Sequence, residues 1–599
     1  MPYDPDLALS GAMFGASPAQ SLLGVAQVDA PMVVDPFPAL DTTALPGGPT
    51  GPEFFLNADA RSGPTDNGKP SLTIDQAASQ IVRGEPGWSA SLGQGFTVTY
   101  AFRADAPAQM PDDSGGFQPF NAAQIAQATL ALQAWSDVAN ITFVRVGSGT
   151  SGPDAYSDSA TILFGDYTTG EAGAAAFAEF PGNTSFGSVA GDVWINSTLS
   201  YNAAPTVGNY GGQVLVHELG HAIGLDHPSD YNAEANVTLS YANNASYYED
   251  DRQYSVMSYF SETNTGGDFG GNLYSAAPLL DDIAAAQLEY GANMTTRTGD
   301  TVYGFNSNTG EPWFTITGTF QKAVFAVWDA GGNDTLDFSG YNQTQTIDLR
   351  AGFFSSVGGL TGNVSIAEGV TIENAIGGSG DDSITGNTAN NSIQGGAGND
   401  TVMAGAGNDT IDGGAGQSYL RGEDGDDSIQ GGAGFDDING NKGNDTIDGG
   451  SGGGDYLVGG QGNDRITGHA SANQILGNLG NDTLMSGSGA DVVRGGQGDD
   501  VIVAGSGDQF LSGDRGSDTI TAGSGHDTIH GSQDAGIDRI LNFSAGHDVV
   551  ELDPGTTFSV SQVGADTVID MGAINGAPNQ MILVGVSMSS LTASTIFLG

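Results

Sequence analysis

Histidines are crowded into one short stretch of a chain that contains few of them. Three of the seven lie within eleven positions, in the segment VLVHELGHAIGLDH (214–227). His217 and His221 are four residues apart, so a helix would place both imidazoles on one face. Three neutral imidazole nitrogens with an open fourth position are the usual ligand set of a catalytic zinc ion. The stretch therefore predicts one zinc ion bound by His217, His221 and His227.

Two further residues of the stretch have a chemical reason to be there. Glu218 follows the first histidine, where a carboxylate can act as general base toward a zinc-activated water. Gly224 can adopt a left-handed conformation that ends the helix and turns the chain, so that His227 returns toward the other two. The complete H-E-x-x-H-x-x-G-x-x-H pattern is that of the metzincin class of zinc proteases. That class also predicts a downstream turn with a methionine, and SVMSYF supplies Met257 and, two residues on, Tyr259.

A structural zinc site or a solvated histidine-bearing helix is the competing interpretation of this stretch. Structural sites usually close the fourth position with Cys or His, and the chain contains no cysteine. The four histidines outside the stretch are interpreted as surface residues without a role: His469, His526, His530 and His547.

Composition limits the possible partners of the chain. The 599 residues include 70 acidic and only 15 basic ones, a formal net charge of −55. This balance argues against nucleic acid or an anionic membrane surface and favours a metal cation. The absence of cysteine excludes disulfides, thiolate zinc sites and a cysteine nucleophile. We expect no membrane insertion, because no apolar run reaches about 18 residues, and no Sec-type signal, because a basic n-region is missing.

Sequence patterns predict an α+β catalytic domain over residues 63–297 after a proline-rich arm or propeptide over residues 1–62. The pattern predicts a helix over 75–84 with Asp75 near its N-cap and a long amphipathic helix followed by a strand over 121–143. On the long helix, five residues share a face at helical spacing: Ile125, Thr129, Leu132, Trp135 and Ala139. Further strands are predicted over 97–102, 161–167 and 191–196.

From residue 377 the chain repeats every nine residues, as in GGSGDDSIT and GGAGNDTVM. Seventeen blocks extend to residue 530; the sixth position is Asp in thirteen of them, and the eighth is nearly always aliphatic. Six residues rich in glycine make a turn, and the last three make a strand whose middle aliphatic points inward. Two blocks complete one coil of an all-β parallel β-roll over 377–540, with coils about 4.8 Å apart. The alternative is a disordered Gly/Asp-rich linker, but such a linker would not need an aliphatic residue at the eighth position of each block.

Aspartate carboxylates and glycine carbonyls of neighbouring turns supply the hard oxygen ligands that Ca²⁺ prefers. Multiple structural calcium ions are therefore predicted, and without them the repelling carboxylates should leave the roll unfolded. The predicted ligands within the repeats are Gly378, Gly380, Asp382, Gly396, Gly398, Asp400, Gly405, Gly407, Asp409, Asp427, Asp436, Asp445, Asp464, Asp482, Asp491, Asp500, Asp518 and Asp527. Residues 541–599 are predicted to cap the open end of the roll.

From about residue 65 onward the chain resembles the serralysins, secreted bacterial metalloproteases of the metzincin clan. Three segments are similar to the sequences of that family: HELGHAIGLDHPSDYNA, VWDAGGNDTLDFSGY and GVTIENAIGGSGDDSI. The resemblance implies a broad-specificity zinc metalloendopeptidase with Glu218 as catalytic base. Tyr259 would be a further zinc ligand that moves toward the transition state. The edge strand that aligns substrate would lie near AAAFAEF (174–180).

The resemblance also implies calcium sites ahead of the regular repeats, in a segment over 298–376 that begins the C-terminal domain. The implied ligands are the carbonyls of Arg297, Gly299 and Thr301 and the surroundings of Asp329, Gly331, Gly332, Asp334, Thr371 and Glu373.

Secretion follows from the same resemblance. The family leaves the cell through a type I exporter that recognises an uncleaved C-terminal signal, here placed in residues 541–599. Protein or peptide substrates, this exporter and a proteinaceous inhibitor are the expected partners, and the expected location is extracellular. The chain departs from the family in a longer roll and in its last residues, TIFLG, where an acidic residue followed by three apolar ones is usual. The long roll motivates an alternative, a calcium-binding surface or adhesion protein with an inactive metalloprotease-like domain.

Overall fold

The structure is a computed structural model that describes residues 55–63, 65, 68–83, 87–110, 114–170, 175–182, 190–232 and 238–599. Most of the predicted N-terminal arm lies outside the described residues. Within its described part, Phe55 contacts Phe354 edge-on at a ring distance of 5.5 Å. Arg61 is buried and forms an ion pair of 2.7 Å with Asp281. The folded unit therefore begins before the predicted boundary at residue 62.

The first half of the described chain combines helices with one small sheet. The helices are α1 (Ile74–Ile81), α2 (Ala122–Val138), α3 (Ser200–Ala203), α4 (Tyr210–Ala222), α5 (Tyr241–Asn244) and α6 (Leu280–Tyr290). The strands are β1 (Phe96–Phe102), β2 (Ile141–Arg145), β3 (Ile162–Tyr167), β4 (Ala176–Ala178) and β5 (Val193–Asn196). They form a sheet of order β2-β1-β3-β5-β4, in which only the edge strand β4 runs antiparallel to its neighbour. The α+β class predicted for this half is confirmed.

Of the local predictions for helices α1 and α2, one is wrong. The N-cap of α1 is Thr73, which exchanges hydrogen bonds of 3.0 and 3.2 Å with Gln76 in a capping box, and Asp75 lies near it in the first turn, as predicted. Thr129 is exposed and lies off the buried face of α2, with its hydroxyl donating to the Ile125 carbonyl at 2.7 Å. The predicted face is otherwise correct: Trp135 is fully buried and donates to the Val216 carbonyl of α4 at 3.0 Å. This contact anchors α4 on α2.

The second half is a parallel β-roll with two large sheets and a small one. The small sheet contains Phe325–Val327, Phe354–Ser355 and Val364–Ile366. The 15-stranded sheet contains Val302–Gly304, Thr335–Asp337, Asn374–Ile376, Ser392–Gln394, Thr410–Asp412, Ser428–Gln430, Thr446–Asp448, Arg465–His469, Thr483–Gly487, Val501–Val503, Thr519–Thr521, Gly536–Leu541, Asn579–Leu583, Asp566–Asp570 and Ser559–Val563. The 12-stranded sheet contains Thr346–Asp348, Ser383–Thr385, Thr401–Ala406, Tyr419–Asp424, Asp437–Lys442, Tyr456–Gln461, Gln474–Leu479, Val492–Gln497, Phe510–Arg515, Thr528–Gly531, Val549–Leu552 and Ile596–Leu598.

The register of the roll confirms the prediction of two blocks per coil. Ile384 pairs with Val402, and Ile393 pairs with Ile411, each 18 residues further along the chain. The eighth-position aliphatics of these strands are buried between the sheets. Beyond the repeats, an antiparallel hairpin extends one sheet past its last parallel strand, within the segment predicted to cap the roll. Within the described part of the chain, no helix has the length and hydrophobicity needed to cross a bilayer.

Candidate active site

Helix α4 carries the first two histidines of the predicted zinc site. It begins after Asn209, whose side chain accepts a hydrogen bond from the Gly212 amide at 2.8 Å. The helix is buried along nearly its whole length. A Cβ on Gly220 would lie 2.4 Å from the Met257 sulfur, so a glycine is required for the methionine to pack against the helix. The predicted Met257 turn therefore lies directly against α4.

The chain turns sharply after α4, as the position of Gly224 predicts. Gly224 has a φ of +98°, in the left-handed region that residues with a side chain rarely adopt. The Leu225 amide donates back to the Gly220 carbonyl at 2.9 Å, which closes the end of the helix. The turn brings His227 back toward His221.

The three histidines meet through the same ring nitrogen. His221 Nε2 lies 3.1 Å from His217 Nε2 and 3.2 Å from His227 Nε2. His217 Nδ1 donates to the Val256 carbonyl at 2.9 Å, and His221 Nδ1 donates to the Leu225 carbonyl at 2.7 Å. Because a carbonyl can only accept, the protons of these two rings sit on Nδ1 and their Nε2 lone pairs face the shared centre.

The electrostatics of this centre fit a divalent cation. Burial lowers the pKa of His217 to about 4 and that of His221 to about 3, and it lowers the pKa of His227 as well. The rings are therefore neutral over the ordinary pH range and available as ligands. Lone pairs of neutral nitrogens this close repel each other unless a cation lies between them. The donor set of three imidazoles fits zinc.

Glu218 faces a cleft of about 630 Å³ that runs past the three histidines. Burial raises the pKa of its carboxyl to about 8. The edge strand β4 lines the same cleft with Phe177 and Ala178. Among the described residues no strand pairs with the outer edge of β4, which lies within the segment predicted to align substrate, although Ala174 is outside the described residues. An extended peptide could pair with this edge and place its backbone beside Glu218.

Tyr259 also lines the cleft and is 38% exposed, whereas Met257 is fully buried. The Tyr259 ring lies 4.4 Å from the His227 ring and 5.5 Å from the His217 ring. Its place at the mouth of the histidine cluster is compatible with a hydroxyl that reaches either the metal or a bound substrate.

Sequence reasoning missed Asp282, which holds the Met257 turn in place from helix α6. One oxygen of its carboxylate accepts from the Val256 and Leu279 amides at 2.7 and 2.8 Å. The other accepts from the Ser255 hydroxyl at 2.6 Å. Since the Val256 carbonyl orients His217, Asp282 fixes the ring of that histidine through one intermediate residue. No sequence pattern marks an aspartate 65 positions beyond the histidine it orients.

We expect Asp282→Asn to weaken both folding and metal binding. An asparagine cannot accept these three hydrogen bonds without turning its NH₂ group toward an N–H or O–H donor. The free energy of unfolding should fall by about 1–3 kcal/mol, and zinc affinity should fall about 10- to 100-fold. Chemical denaturation and competition with a zinc indicator would measure the two effects. Asp268→Asn is the matched control, since the exposed Asp268 accepts from the Gly270 amide alone. Equal losses in both variants would contradict the positioning role.

The structure brings together most residues of the calcium site predicted ahead of the repeats. The Thr301 amide donates to Asp334 Oδ1, and the Asp334 amide donates to Glu373 Oε2, both at 2.8 Å. Asp334 Oδ2 is buried and has no hydrogen-bond donor among the described residues. A Cβ on Gly332 would lie 2.6 Å from the Gly299 carbonyl, so the two turns approach closely. The Gly299 carbonyl accepts from the Thr301 hydroxyl at 2.8 Å. A buried carboxylate oxygen without a donor, close to backbone carbonyls, fits a calcium ion.

The remaining residues of this predicted set surround the same place less directly. Asp329 accepts from the Gly331 amide at 2.8 Å and from the Tyr303 hydroxyl at 2.6 Å. Arg297 has a left-handed φ of 49°. Thr371 is exposed.

The sixth-position aspartates of the repeats are all buried, each at most 2% exposed. Glycines allow the coils to stack: a Cβ on Gly396 would lie 2.2 Å from the Gly378 carbonyl, and one on Gly398 would lie 2.2 Å from the Gly380 carbonyl. Gly405 and Gly407 make the same close approach to the preceding coil. Carboxylates are rarely buried without a partner, so their burial here fits metal coordination.

Comparisons with known proteins agree with both halves of the fold. Residues 113–259 match the family model described as matrixin, and residues 292–448 match peptidase M10 serralysin C terminal. Segments 450–484, 476–510 and 503–537 match the RTX calcium-binding nonapeptide repeat. The metalloprotease AprA of Pseudomonas entomophila (strain L48) is 48% identical over 358 residues, which cover 58% of this chain and 71% of that protein. This chain belongs to the serralysin family of metalloproteases.

Other relatives match over a similar span. Serralysin C of Dickeya chrysanthemi is 54% identical over 324 residues, 54% of this chain and 66% of the relative. Serralysin A of the same organism is 52% identical, over 54% of this chain and 65% of the relative. The match thus spans about two thirds of the relatives' length. Membership of the serralysin family favours the protease interpretation over the adhesion protein, and it makes zinc and calcium the metals to consider.

Proposed function

We propose that this chain is a secreted zinc-dependent endopeptidase that hydrolyses peptide bonds of extracellular proteins and requires calcium to fold its β-roll. The convergence of three Nε2 atoms beside Glu218, in a cleft bordered by the edge strand β4, carries this proposal. Zinc held by His217, His221 and His227 would lower the pKa of a water molecule and polarise the scissile carbonyl.

The chain's own residues would do the rest of the chemistry. The edge of β4 would hold the substrate extended across the cleft, with backbone hydrogen bonds that do not depend on side chains. Glu218 would take a proton from the attacking water and deliver it to the leaving amine. The Tyr259 hydroxyl would donate a hydrogen bond to the oxygen of the scissile carbonyl as negative charge develops there.

The other finer predictions belong to the same proposal. We place the domain boundaries near residues 297, 376 and 540, with an N-terminal arm ahead of the described unit. Export would use a type I secretion system that recognises the C-terminal segment. The similarity to the serralysins supports an extracellular location.

Removal of zinc tests the proposed function directly. Purified protein in millimolar calcium should hydrolyse casein, lose that activity with a zinc-selective chelator, and recover it when zinc is added back. The Glu218→Ala variant should be inactive under all three conditions. A folded, zinc-loaded protein without activity would be retested after removal of residues 1–52, which keeps Phe55 and Arg61. Continued inactivity would favour the adhesion protein.

Tyr259→Phe should reduce the turnover number while zinc affinity changes little. The variant loses a hydroxyl that we assign to the developing oxyanion, and it keeps the ring that packs on His227. A loss of roughly 10- to 100-fold in kcat is expected, at or below the usual effect of removing one oxyanion donor. Steady-state kinetics and a zinc titration would measure both quantities. Tyr241→Phe, which removes a hydroxyl bound to the Tyr248 carbonyl, is the control. An unchanged kcat would remove the assignment.

A further inference from the structure

The turns of the β-roll fall into two rows that differ in their hydrogen bonding. Turn row 1 leads into the strands of the 15-stranded sheet, and turn row 2 leads into those of the 12-stranded sheet. The sixth positions of turn row 1, from its first Asp onward, are Asp409, Asp427, Asp445, Asp464, Asp482, Asp500 and Asp518. Those of turn row 2 are Asp382, Asp400, Ser418, Asp436, Asp455, Asn473, Asp491, Gln509 and Asp527. Aspartate is therefore continuous in row 1 and interrupted three times in row 2.

Every aspartate of turn row 1 presents one carboxylate oxygen that no donor satisfies. Asp482 is typical: its Oδ1 accepts from the Asp464 amide of the preceding coil at 2.8 Å. Its Oδ2 is buried and has no hydrogen-bond donor among the described residues, and the same holds for the other six aspartates of the row. The orphaned oxygens therefore form an unbroken series along one edge of the roll.

The backbone of turn row 1 is held in an unusual conformation. The second residue of each turn has a positive φ even where it is not glycine, as at Glu423 (77°), Asn441 (73°), Asn478 (76°) and Asp514 (60°). Residues with a Cβ adopt this region at a cost of about 1–2 kcal/mol. The conformation persists only where surrounding interactions fix it.

The later turns of row 2 are closed by hydrogen-bond donors instead. Asp491 Oδ2 accepts from the Gly487 amide at 3.1 Å, and Asp527 Oδ2 accepts from the Gly523 amide at 2.7 Å. Neither glycine has a φ in the left-handed region. Beyond the repeats, Asp548 Oδ2 accepts in the same way from the Ser544 amide at 2.6 Å. In these turns a backbone N–H donates to the aspartate Oδ2, whereas the Oδ2 atoms of turn row 1 have no donor among the described residues.

The row 2 turns with Asn473 and Gln509 at the sixth position are held by the side-chain amides of those two residues. Asn473 Nδ2 donates to the Gly468 carbonyl and to the Ser471 carbonyl, the latter at 2.8 Å. Gln509 Nε2 donates to the Gly489 carbonyl at 2.8 Å. Turn carbonyls are the oxygens that calcium would need as ligands in such a site. The NH₂ groups satisfy them without a metal.

We infer that the amide groups of Asn473 and Gln509 and the backbone N–H groups of Gly487 and Gly523 replace calcium in the second half of turn row 2. Calcium then binds along turn row 1 and at the row 2 aspartates whose Oδ2 atoms have no donor among the described residues, Asp400, Asp436 and Asp455. The N–H groups carry partial positive charge, so a cation cannot share their place. The inference removes Asp382, Asp491 and Asp527 from the predicted calcium ligands, because the Asp382 Oδ2 in the first turn of row 2 likewise accepts from a backbone amide, that of Gly378 at 2.6 Å. It adds Asp455, whose Oδ2 is also orphaned.

The inference rests on the calcium binding of the proposed function and refines where the ions lie. One edge of the roll's C-terminal half is then held by hydrogen bonds that form without calcium. The opposite edge of the same coils depends on the ion. Calcium therefore binds only along the row 1 edge of these coils, and the coils still depend on the ion through that edge.

Calcium stoichiometry of the full-length chain tests the inference. Each protein would be dialysed against millimolar calcium, separated from free ions, and analysed for calcium per chain, with circular dichroism as a check of folding. Asp464→Asn in row 1 and Asp400→Asn in row 2 should each bind less calcium than the wild type. Asp491→Asn should bind the same amount. Asn473→Asp should bind more, because its new carboxylate would face the Gly468 and Ser471 carbonyls.

The outcomes separate the inference from the proposed function. Equal losses in Asp400→Asn and Asp491→Asn, or no gain in Asn473→Asp, would overturn the inference and leave calcium binding intact. A wild type without bound calcium would overturn calcium binding and the inference together. If Asp464→Asn does not fold, the pair Asp400→Asn and Asp491→Asn still decides, since both lie in row 2.

Discussion

Glu218→Gln is expected to abolish nearly all proteolysis while zinc remains bound. Glutamine keeps the size of the side chain and its place in the cleft, but it cannot take a proton from water at neutral pH. General acid–base groups contribute about 10²–10⁴-fold to rate, so kcat for casein or a quenched peptide should fall by that factor. The three histidine ligands are unchanged, so zinc content by elemental analysis should equal that of the wild type.

Glu311→Gln is a matched control for this substitution. Glu311 is half-buried in the C-terminal domain, and it does not line the cleft of Glu218. The same chemical change there should leave kcat unaltered. Substantial turnover by a zinc-loaded Glu218→Gln protein would exclude Glu218 as the base. Loss of zinc from the variant would mean that the carboxylate supports the metal rather than the proton transfer.

The arrangement of the histidines could be predicted because local geometry determines it. The spacing of His217 and His221 needs only a helix, and the return of His227 needs only a glycine with positive φ at position 224. The roll is equally local, since each block repeats one turn and one strand. Strand pairing 18 residues apart follows from two blocks per coil.

Contacts between distant segments could not be predicted in this way. The link from Asp282 through Val256 to His217 joins three elements that no sequence period connects. The Arg61–Asp281 ion pair spans 220 positions, and it draws residues of the predicted arm into the folded unit. Nor does an Asp at the sixth position reveal whether a backbone amide of its turn donates to the Asp Oδ2. Asp464 and Asp491 occupy equivalent positions, and only Asp491 has an amide donor at Oδ2.

Removal of calcium should unfold the β-roll at neutral pH and leave the catalytic helices folded. Neighbouring aspartates of turn row 1 lie on coils about 4.8 Å apart. At an effective dielectric constant near 20, two charges at that distance repel by on the order of 3 kcal/mol. Several such pairs would exceed the total stability of an ordinary domain, about 5–15 kcal/mol. Hydrogen exchange with a calcium chelator should therefore show loss of protection in the roll strands but retained protection in α2 and α4.

Low pH should partly restore the folded roll in the absence of calcium, because it protonates the aspartates. Burial raises the pKa of Asp427, Asp445, Asp464 and Asp500 to about 7, well above the value near 4 of an unfolded chain. The folded roll then binds more protons than the unfolded chain, so its stability is greatest below pH 4 and is lost as pH rises through about 7. The calcium-free protein should therefore keep more roll structure at pH 5 than at pH 8. Magnesium at the same concentration as calcium is the control at pH 8. It should not restore the roll, because its small octahedral coordination shell suits this site poorly. A roll that stays protected at pH 8 without calcium would show that hydrogen bonds alone offset the carboxylate repulsion in both turn rows.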